Sequence, residues 1–204
     1  MSSTVNGADG RPRCRWCTAA PEFFDYHDKE WGYPVGDDIR LFEKLCLESF
    51  QSGLSWRTIL AKKDNFRSAF HGFDFNKVAQ FTDSDVDRLL TDKGIVRHRG
   101  KIEAVINNAR CAKEMVAQTG SLAAFFWSYE PAEEGLAEPQ TASTSEASKA
   151  LSKELKKKGW KFVGPTTLYA FMQAMGLIND HAEGCVFRDV AKKARESFIK
   201  PKLP

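Results

Sequence analysis

No apolar run in this chain approaches the roughly 20 residues needed to cross a bilayer, which excludes a membrane-spanning helix. Charge of one sign is also lacking. Thirty Lys and Arg stand against 27 Asp and Glu, a net of +3 over 204 residues. So mild a balance does not establish a nucleic-acid partner; only a local basic patch would argue for one. Convincing alternation of apolar and polar residues is missing, and so is any internal repeat, which leaves an all-α reading. The Ser/Gly/Asp-rich start, Met1 to Arg13, holds no apolar stretch and no secretory signal pattern. Cysteine is scarce and odd in number, at five. Without a secretory signal, that favours metal binding or core thiols over a disulfide framework.

What is present is an ordinary soluble composition, 42% hydrophobic and 28% charged. Fifteen Phe and five Trp imply a large aromatic core, a stacking site, or both. Residues 1–12 read as a loose tail. Asp37 or Asp38 can cap a helix with apolar positions at Ile39, Phe42, Leu45, Cys46 and Phe50, ended or kinked at Gly53. A second helix holds Trp56, Ile59 and Leu60. Thr82 to Asp85 reads as a capping box opening a helix through Val86, Leu89 and Leu90, with Gly94 as its left-handed stop. A compact turn, Gly94-Ile95-Val96-Arg97-His98-Arg99-Gly100-Lys101, leads into a further amphipathic helix. Residues 130–146, rich in Pro, Glu, Ala, Ser and Thr, form a surface loop. Helices capped at Thr144 or Ser145 and begun at Pro165 or Thr166 follow, and the end of the chain is basic. Cys46 and Cys111, set in apolar helical patterns, are expected to be buried small hydrophobes.

Three groups of residues carry chemistry. Cys14 and His27 near one end, with His181-x3-Cys185 near the other, supply the sulfur and nitrogen donors of a closed tetrahedral zinc site. Binding all four would tie the ends of the domain together. The alternative is four unrelated residues, cysteines in the core and histidines at the surface. Cys17, in a Cys14-x2-Cys17 pair, makes the choice of thiolate ambiguous. A hydrolytic zinc would keep a position open for water, and four protein ligands leave none.

Glu48 sits at the edge of an apolar helical stripe, about 20° from Leu41 at 100° per residue. It lies either at a pocket lip, where it can accept hydrogen bonds from a ligand's amino groups, or at the surface as one carboxylate among many. The turn bearing Gly94, Arg97, His98, Arg99, Gly100 and Lys101 offers backbone N–H groups and cations to a phosphate, or is merely solvated.

Taken together, these residues resemble the DNA-3-methyladenine glycosylase I family. The resemblance runs from Arg13-Cys14-x-Trp16 through Tyr26-His27-Asp28-x-Glu30-Trp31-Gly32, Cys46-Leu47-Glu48 and Gly53-Leu54-Ser55-Trp56. It continues through the 94–102 turn, Gly159-x-Lys161-Phe162-Val163-Gly164 and Phe171-Met172-Gln173-Ala174, and closes on Gly176-Leu177-x-Asn179-Asp180-His181-x3-Cys185. It covers about 13–186, leaving 187–204 as a basic tail. The fold it implies is the helix-hairpin-helix glycosylase fold, two helical lobes around a cleft. The activity it implies is hydrolysis of the N-glycosidic bond of N3-methyladenine in DNA, without strand cleavage. It further implies a structural zinc on Cys14, His27, His181 and Cys185, a base-contacting Glu48, and pocket aromatics at Trp16, Tyr26 and Trp56. Phe23 stands where a hydroxylated aromatic can occur in the family. The implied partner is double-stranded DNA with alkylated bases, the implied state a monomer, and the compartment the cytoplasm, or the nucleus in a eukaryote. The competing readings are a non-catalytic, zinc-stapled DNA-binding module and a zinc hydrolase.

Overall fold

The computed structural model describes residues 3–204. The N-terminal segment is not a loose tail. β1 (Thr4–Asn6) pairs antiparallel with β2 (Pro12–Cys14), Thr4 opposite Cys14. A 3-10 turn over Arg15–Ala19 follows, then α1 (Glu22–Lys29). Three-residue strands are too short to show alternation, so the sequence pattern gives no sign of them. Arg13 holds the hairpin in place: its guanidinium engages Asp9 Oδ1 at 2.6 Å and Asp28 Oδ2 at 2.8 Å.

α2 (Asp38–Gln51) is the central helix. Asp37 caps it, accepting the Arg40 N–H at 2.8 Å. Every residue from Leu41 to Phe50 is buried, because α2 is covered on all sides. α3 (Trp56–Ala61), α4 (Lys63–Ala69), α5 (Phe75–Val78), α6 (Asp83–Thr91) and α7 (Arg99–Thr119) follow it. Then come α8 (Leu122–Trp127), α9 (Glu146–Lys157), α10 (Pro165–Ala174) and α11 (Val186–Ser197). α2 packs on α3, α7, α8 and α10; α9 packs on α10, and α5 and α6 on α7.

The aromatic excess is used in the core. Phe50, Phe66, Phe70 and Phe73 form a run of rings, with Phe50 and Phe66 4.6 Å apart and Phe70 and Phe73 5.4 Å apart. Gly176 permits a close crossing: at φ +76, a Cβ there would lie 2.5 Å from the Tyr33 and Pro34 backbone.

Some local expectations change. The capping box at Thr82 and Asp85 forms, but Gly94 is not left-handed. Asp92 makes the stop instead, accepting the Gly94 N–H at 2.7 Å. Ile39 is exposed at the start of α2, and Cys111 is only half-buried. The basic C-terminal segment opens with a packed amphipathic helix, α11, whose Phe187 and Ala191 are buried and which rests on β2. No helix among the described residues is long and apolar enough to cross a membrane.

Candidate functional site

A cavity of about 390 Å³ opens where α2, α3 and α10 meet the N-terminal segment. Trp16, Tyr26, Trp31 and Trp56 supply its aromatic wall, and Glu48, Gln51, Gln140, Gln173 and Asp180 its polar groups. That is the usual makeup of a small-molecule site, apolar walls with a few convergent polar atoms. Trp16 meets Tyr26 and Trp31 edge-on, with centroids 6.2 and 5.1 Å apart, and Tyr26 lies 5.2 Å from Trp56. Phe23 is not a lining residue; it packs edge-on against Trp16 at 6.0 Å and supports the wall from behind.

Glu48 is buried at the cavity rather than on the surface, 6% exposed. Its Oε1 forms an ion pair with the Lys44 ammonium at 2.7 Å, one helical turn earlier on α2. Lys44 is 1% exposed. Its Nζ also donates to the Tyr26 hydroxyl at 2.7 Å and lies 3.5 Å from the centre of the Trp56 ring. One cation therefore aligns the carboxylate, the phenol and the indole that face the cavity. Burial drives the Lys44 pKa down to about 8, with Glu48 opposing the fall. Burial and the neighbouring Glu48 push the Tyr26 phenol well above its ordinary range, so it stays neutral.

The 130–146 loop, which composition leaves uninformative, closes one side of the cavity through Gln140 and Ala142. Asp180 anchors it, accepting the Gln140 N–H at 3.0 Å and the Gln173 amide at 2.6 Å. Burial raises the Asp180 pKa.

Three of the four sequence-predicted metal ligands converge below this wall, and the ring of the fourth, His181, lies beside them. The donor atoms of Cys14, His27 and Cys185 lie within 4.8 Å of one another, a buried group that could hold a metal ion. The His181 ring is 5.1 Å from His27, and its Nε2 is buried with no hydrogen-bond partner. Both imidazoles are oriented from their other nitrogen: His27 Nδ1 meets Asp28 Oδ1 at 2.7 Å, and His181 Nδ1 meets Asn179 Oδ1 at 3.0 Å. Such partners fix the tautomer that presents Nε2 to a metal. Gly32, at φ +85, admits the His181 ring, which a Cβ would meet at 2.5 Å. Burial drives His181 down to about 4, so it is neutral at pH 7. The thiols of Cys14 and Cys185 are hydrogen-bonded to each other, which favours the thiolate on Cys185 and the thiol on Cys14. Cys17 is buried near them but stands outside the convergent group.

The basic turn between α6 and α7 exposes Arg97, His98 and Arg99. His98 caps α7, its Nδ1 accepting the Lys101 N–H at 3.2 Å. Arg99 pairs at the surface with Asp87 at 3.0 Å. The first-turn N–H groups of Arg99 and Gly100 have no intrahelical acceptor, as at any helix start. Gly94 has its N–H bonded to Asp92, and its carbonyl accepts from Lys62 and Asn65. Lys101 departs from expectation. Its ammonium is buried and donates to the carbonyls of Phe50 at 2.9 Å and Ser52 at 2.5 Å. It pins the end of α2 to α7 and is not a surface cation.

A family model described as methyladenine glycosylase matches residues 16–189. The chain belongs to the methyladenine glycosylase family. DNA-3-methyladenine glycosylase 1 of Escherichia coli K12 is 49% identical over 177 residues, covering 85% of this chain and 95% of the relative. The DNA-3-methyladenine glycosylase of Haemophilus influenzae is 45% identical over 177 residues, covering 85% and 96%. A crystal structure of 3-methyladenine DNA glycosylase I superimposes with a TM-score of 0.80 at 47% identity, covering 85% of this chain and 98% of that one. A structure from Staphylococcus aureus, described as the structural basis of 3-methyladenine recognition, gives 0.79 at 39% identity over 86% and 96%.

In this methyladenine glycosylase the residues that sequence reasoning missed include Lys44, Gln140 and Asp180, with Trp31, Gln51 and Gln173 beside them in the wall. Lys44 had a signal: it precedes Glu48 by four positions on a helix, so the two share a face. Asp180 stood inside the resemblance but was given no role, and Gln140 had no signal, because their meeting is a tertiary event between a loop and the segment after α10.

Proposed function

We propose that this protein excises N3-methyladenine from alkylated DNA in base excision repair, hydrolysing the N-glycosidic bond to leave an abasic site. The observation that carries the proposal is the aromatic cavity with Glu48 in its wall and Lys44 behind it, in a chain about half identical to named DNA-3-methyladenine glycosylases over nearly their whole length. A base inside a duplex cannot be reached, so the nucleotide must swing out into the cavity. N3-methylation places positive charge on adenine and weakens the glycosidic bond, so recognition does much of the catalytic work. Trp56, Tyr26 and Trp16 offer π-faces and edges to the charged ring, an attraction of about 1–2 kcal/mol for each desolvated cation contact. Oε1 of Glu48 is engaged by Lys44, leaving Oε2 to accept from the base amino group and to orient the attacking water.

The backbone of the substrate falls to the turn between α6 and α7, read as a helix-hairpin-helix. Gly94 shapes that turn. Arg97, His98 and Arg99, together with the α7 N-terminus at Gly100, face phosphates. The protein works as a monomer on double-stranded DNA. Lys44 is buried behind the cavity wall and Lys101 is tied to two backbone carbonyls, so neither amine faces the sugar, which supports a monofunctional enzyme without Schiff-base chemistry.

Cys14, His27, His181 and Cys185 are proposed to hold one structural Zn²⁺. The orphaned Nε2 of His181 and the two oriented imidazoles fit that set. With four protein ligands the metal supplies folding free energy by joining the chain ends, and no open position for chemistry. The domain so tied spans 13–186, with α11 packed beyond it. Incubation of the purified protein with methylated DNA, followed by chromatography of the released bases, tests the whole reading.

A further inference from the structure

Phe162 combines three features that rarely meet in one residue. Its backbone is left-handed, at φ 56, a region that L side chains adopt only under constraint. The residue is 41% exposed. And the turn that carries it is fixed by buried polar side chains from three helices. Ser49 of α2 donates to the Phe162 carbonyl at 3.0 Å, and Ser152 of α9 donates to the Val163 carbonyl at 2.7 Å. Asn108 of α7 brackets Lys161, donating to its carbonyl at 2.9 Å and accepting its N–H at 2.8 Å. All three side chains are almost fully buried, at 2–4% exposure. The fold thus over-determines an unfavourable conformation whose visible result is an aromatic ring held out to solvent.

The place of that ring is informative. It lies 6.5 Å from the His98 ring in the basic turn between α6 and α7. Ser49 ties it to the end of α2, just before the Gln51–Leu54 segment that rims an opening beside Glu48. Exposed Lys161 precedes it in the chain, and exposed Arg97 and Arg99 are the chain neighbours of His98. An apolar ring among cations, between a cleft and a phosphate-facing turn, matches a nucleic acid, which offers a π-face and a negative backbone together.

We infer that Phe162 is a DNA contact, stacking on a nucleobase left exposed in the duplex where the lesion has swung out. The inference rests on the glycosylase reading and adds a contact outside the base cavity. The test compares wild type with Phe162→Gly and Phe162→Ala. Three quantities are measured: thermal midpoint, affinity for a duplex bearing a tetrahydrofuran abasic analogue, and affinity for free 3-methyladenine. Glycine relieves the left-handed strain, so Phe162→Gly keeps or raises the midpoint. Both variants bind the duplex about tenfold more weakly, the scale of one lost base–aromatic stack. Both bind the free base as wild type does. Duplex affinity within twofold of wild type, with the free base still bound, overturns the inference. So does a lowered midpoint with loss of free-base binding, which would make Phe162 a structural residue. A folded wild type with no affinity for the abasic duplex would overturn the glycosylase reading and this contact with it.

Discussion

The buried pair of Lys44 and Glu48 lends itself to a double-mutant cycle. Lys44→Met removes the cation and leaves the Glu48 carboxylate in a wall that is 6% exposed. Breaking a buried pair from one side costs about 3–5 kcal/mol. Glu48 borders a cavity and keeps some access to water, so the cost falls at the low end, about 3 kcal/mol. Glu48→Gln leaves the Lys44 ammonium with two neutral acceptors and costs less. The double variant strands no charge and recovers much of the loss. The coupling between the two sites is therefore about 2–3 kcal/mol, read from urea unfolding of the four proteins.

The pair also gives a pH signature. The Lys44 pKa falls from the ordinary 10.5 to about 8 on folding. Between those values the unfolded chain binds more protons than the folded one. This group therefore makes stability rise with pH across that window. At about 1.36 kcal/mol for each factor of ten in proton affinity, the full rise is about 3 kcal/mol. The difference in stability between wild type and Lys44→Met should accordingly grow in favour of wild type from pH 8 to 10.5. Additivity within about 0.5 kcal/mol, together with a flat difference curve, would refute the idea that one buried cation organises the site.

Other expectations follow from the same geometry. Cys14→Ser lowers zinc content and thermal midpoint together, by elemental analysis and calorimetry; a full zinc equivalent retained in the variant would shift the ligand to Cys17. Asp180→Ala frees the Gln140 loop from the cavity, so KM for methylated DNA rises several-fold with little change in duplex affinity; an unchanged KM would show that the loop wall is not needed. Borohydride treatment during turnover traps no covalent DNA adduct, because Lys44 is buried behind the cavity wall and Lys101 is tied to the Phe50 and Ser52 carbonyls. A trapped adduct, mapped by mass spectrometry, would name the lysine and contradict a monofunctional enzyme.

How far the molecule could be read from its residues depended on the range of the contacts. Capping at Asp37, Thr82 and Ser145 is local chemistry and was legible. The grouping of Cys14, His27 and Cys185 was legible in part, because donor type is restrictive, although spacing alone left Cys17 as a rival thiolate. Lys101 misled because a lysine at a helix start is usually solvated; only the approach of Phe50 and Ser52, some 50 positions away, buries it. The N-terminal hairpin escaped notice because its strands are three residues long and held by Arg13 ion pairs rather than by an apolar face. The role of the 130–146 loop is set by Asp180, and composition carries no trace of that bond.

The central claim is that Glu48, in its aromatic cavity, recognises and releases methylated adenine. The most direct test incubates wild type and Glu48→Gln with methylated DNA and separates the freed bases by chromatography. The account predicts free 3-methyladenine without 7-methylguanine from wild type, and release slowed about a hundredfold by Glu48→Gln with duplex affinity nearly unchanged. No released base from a folded, metal-loaded wild type, or equal release by the two proteins, would contradict it.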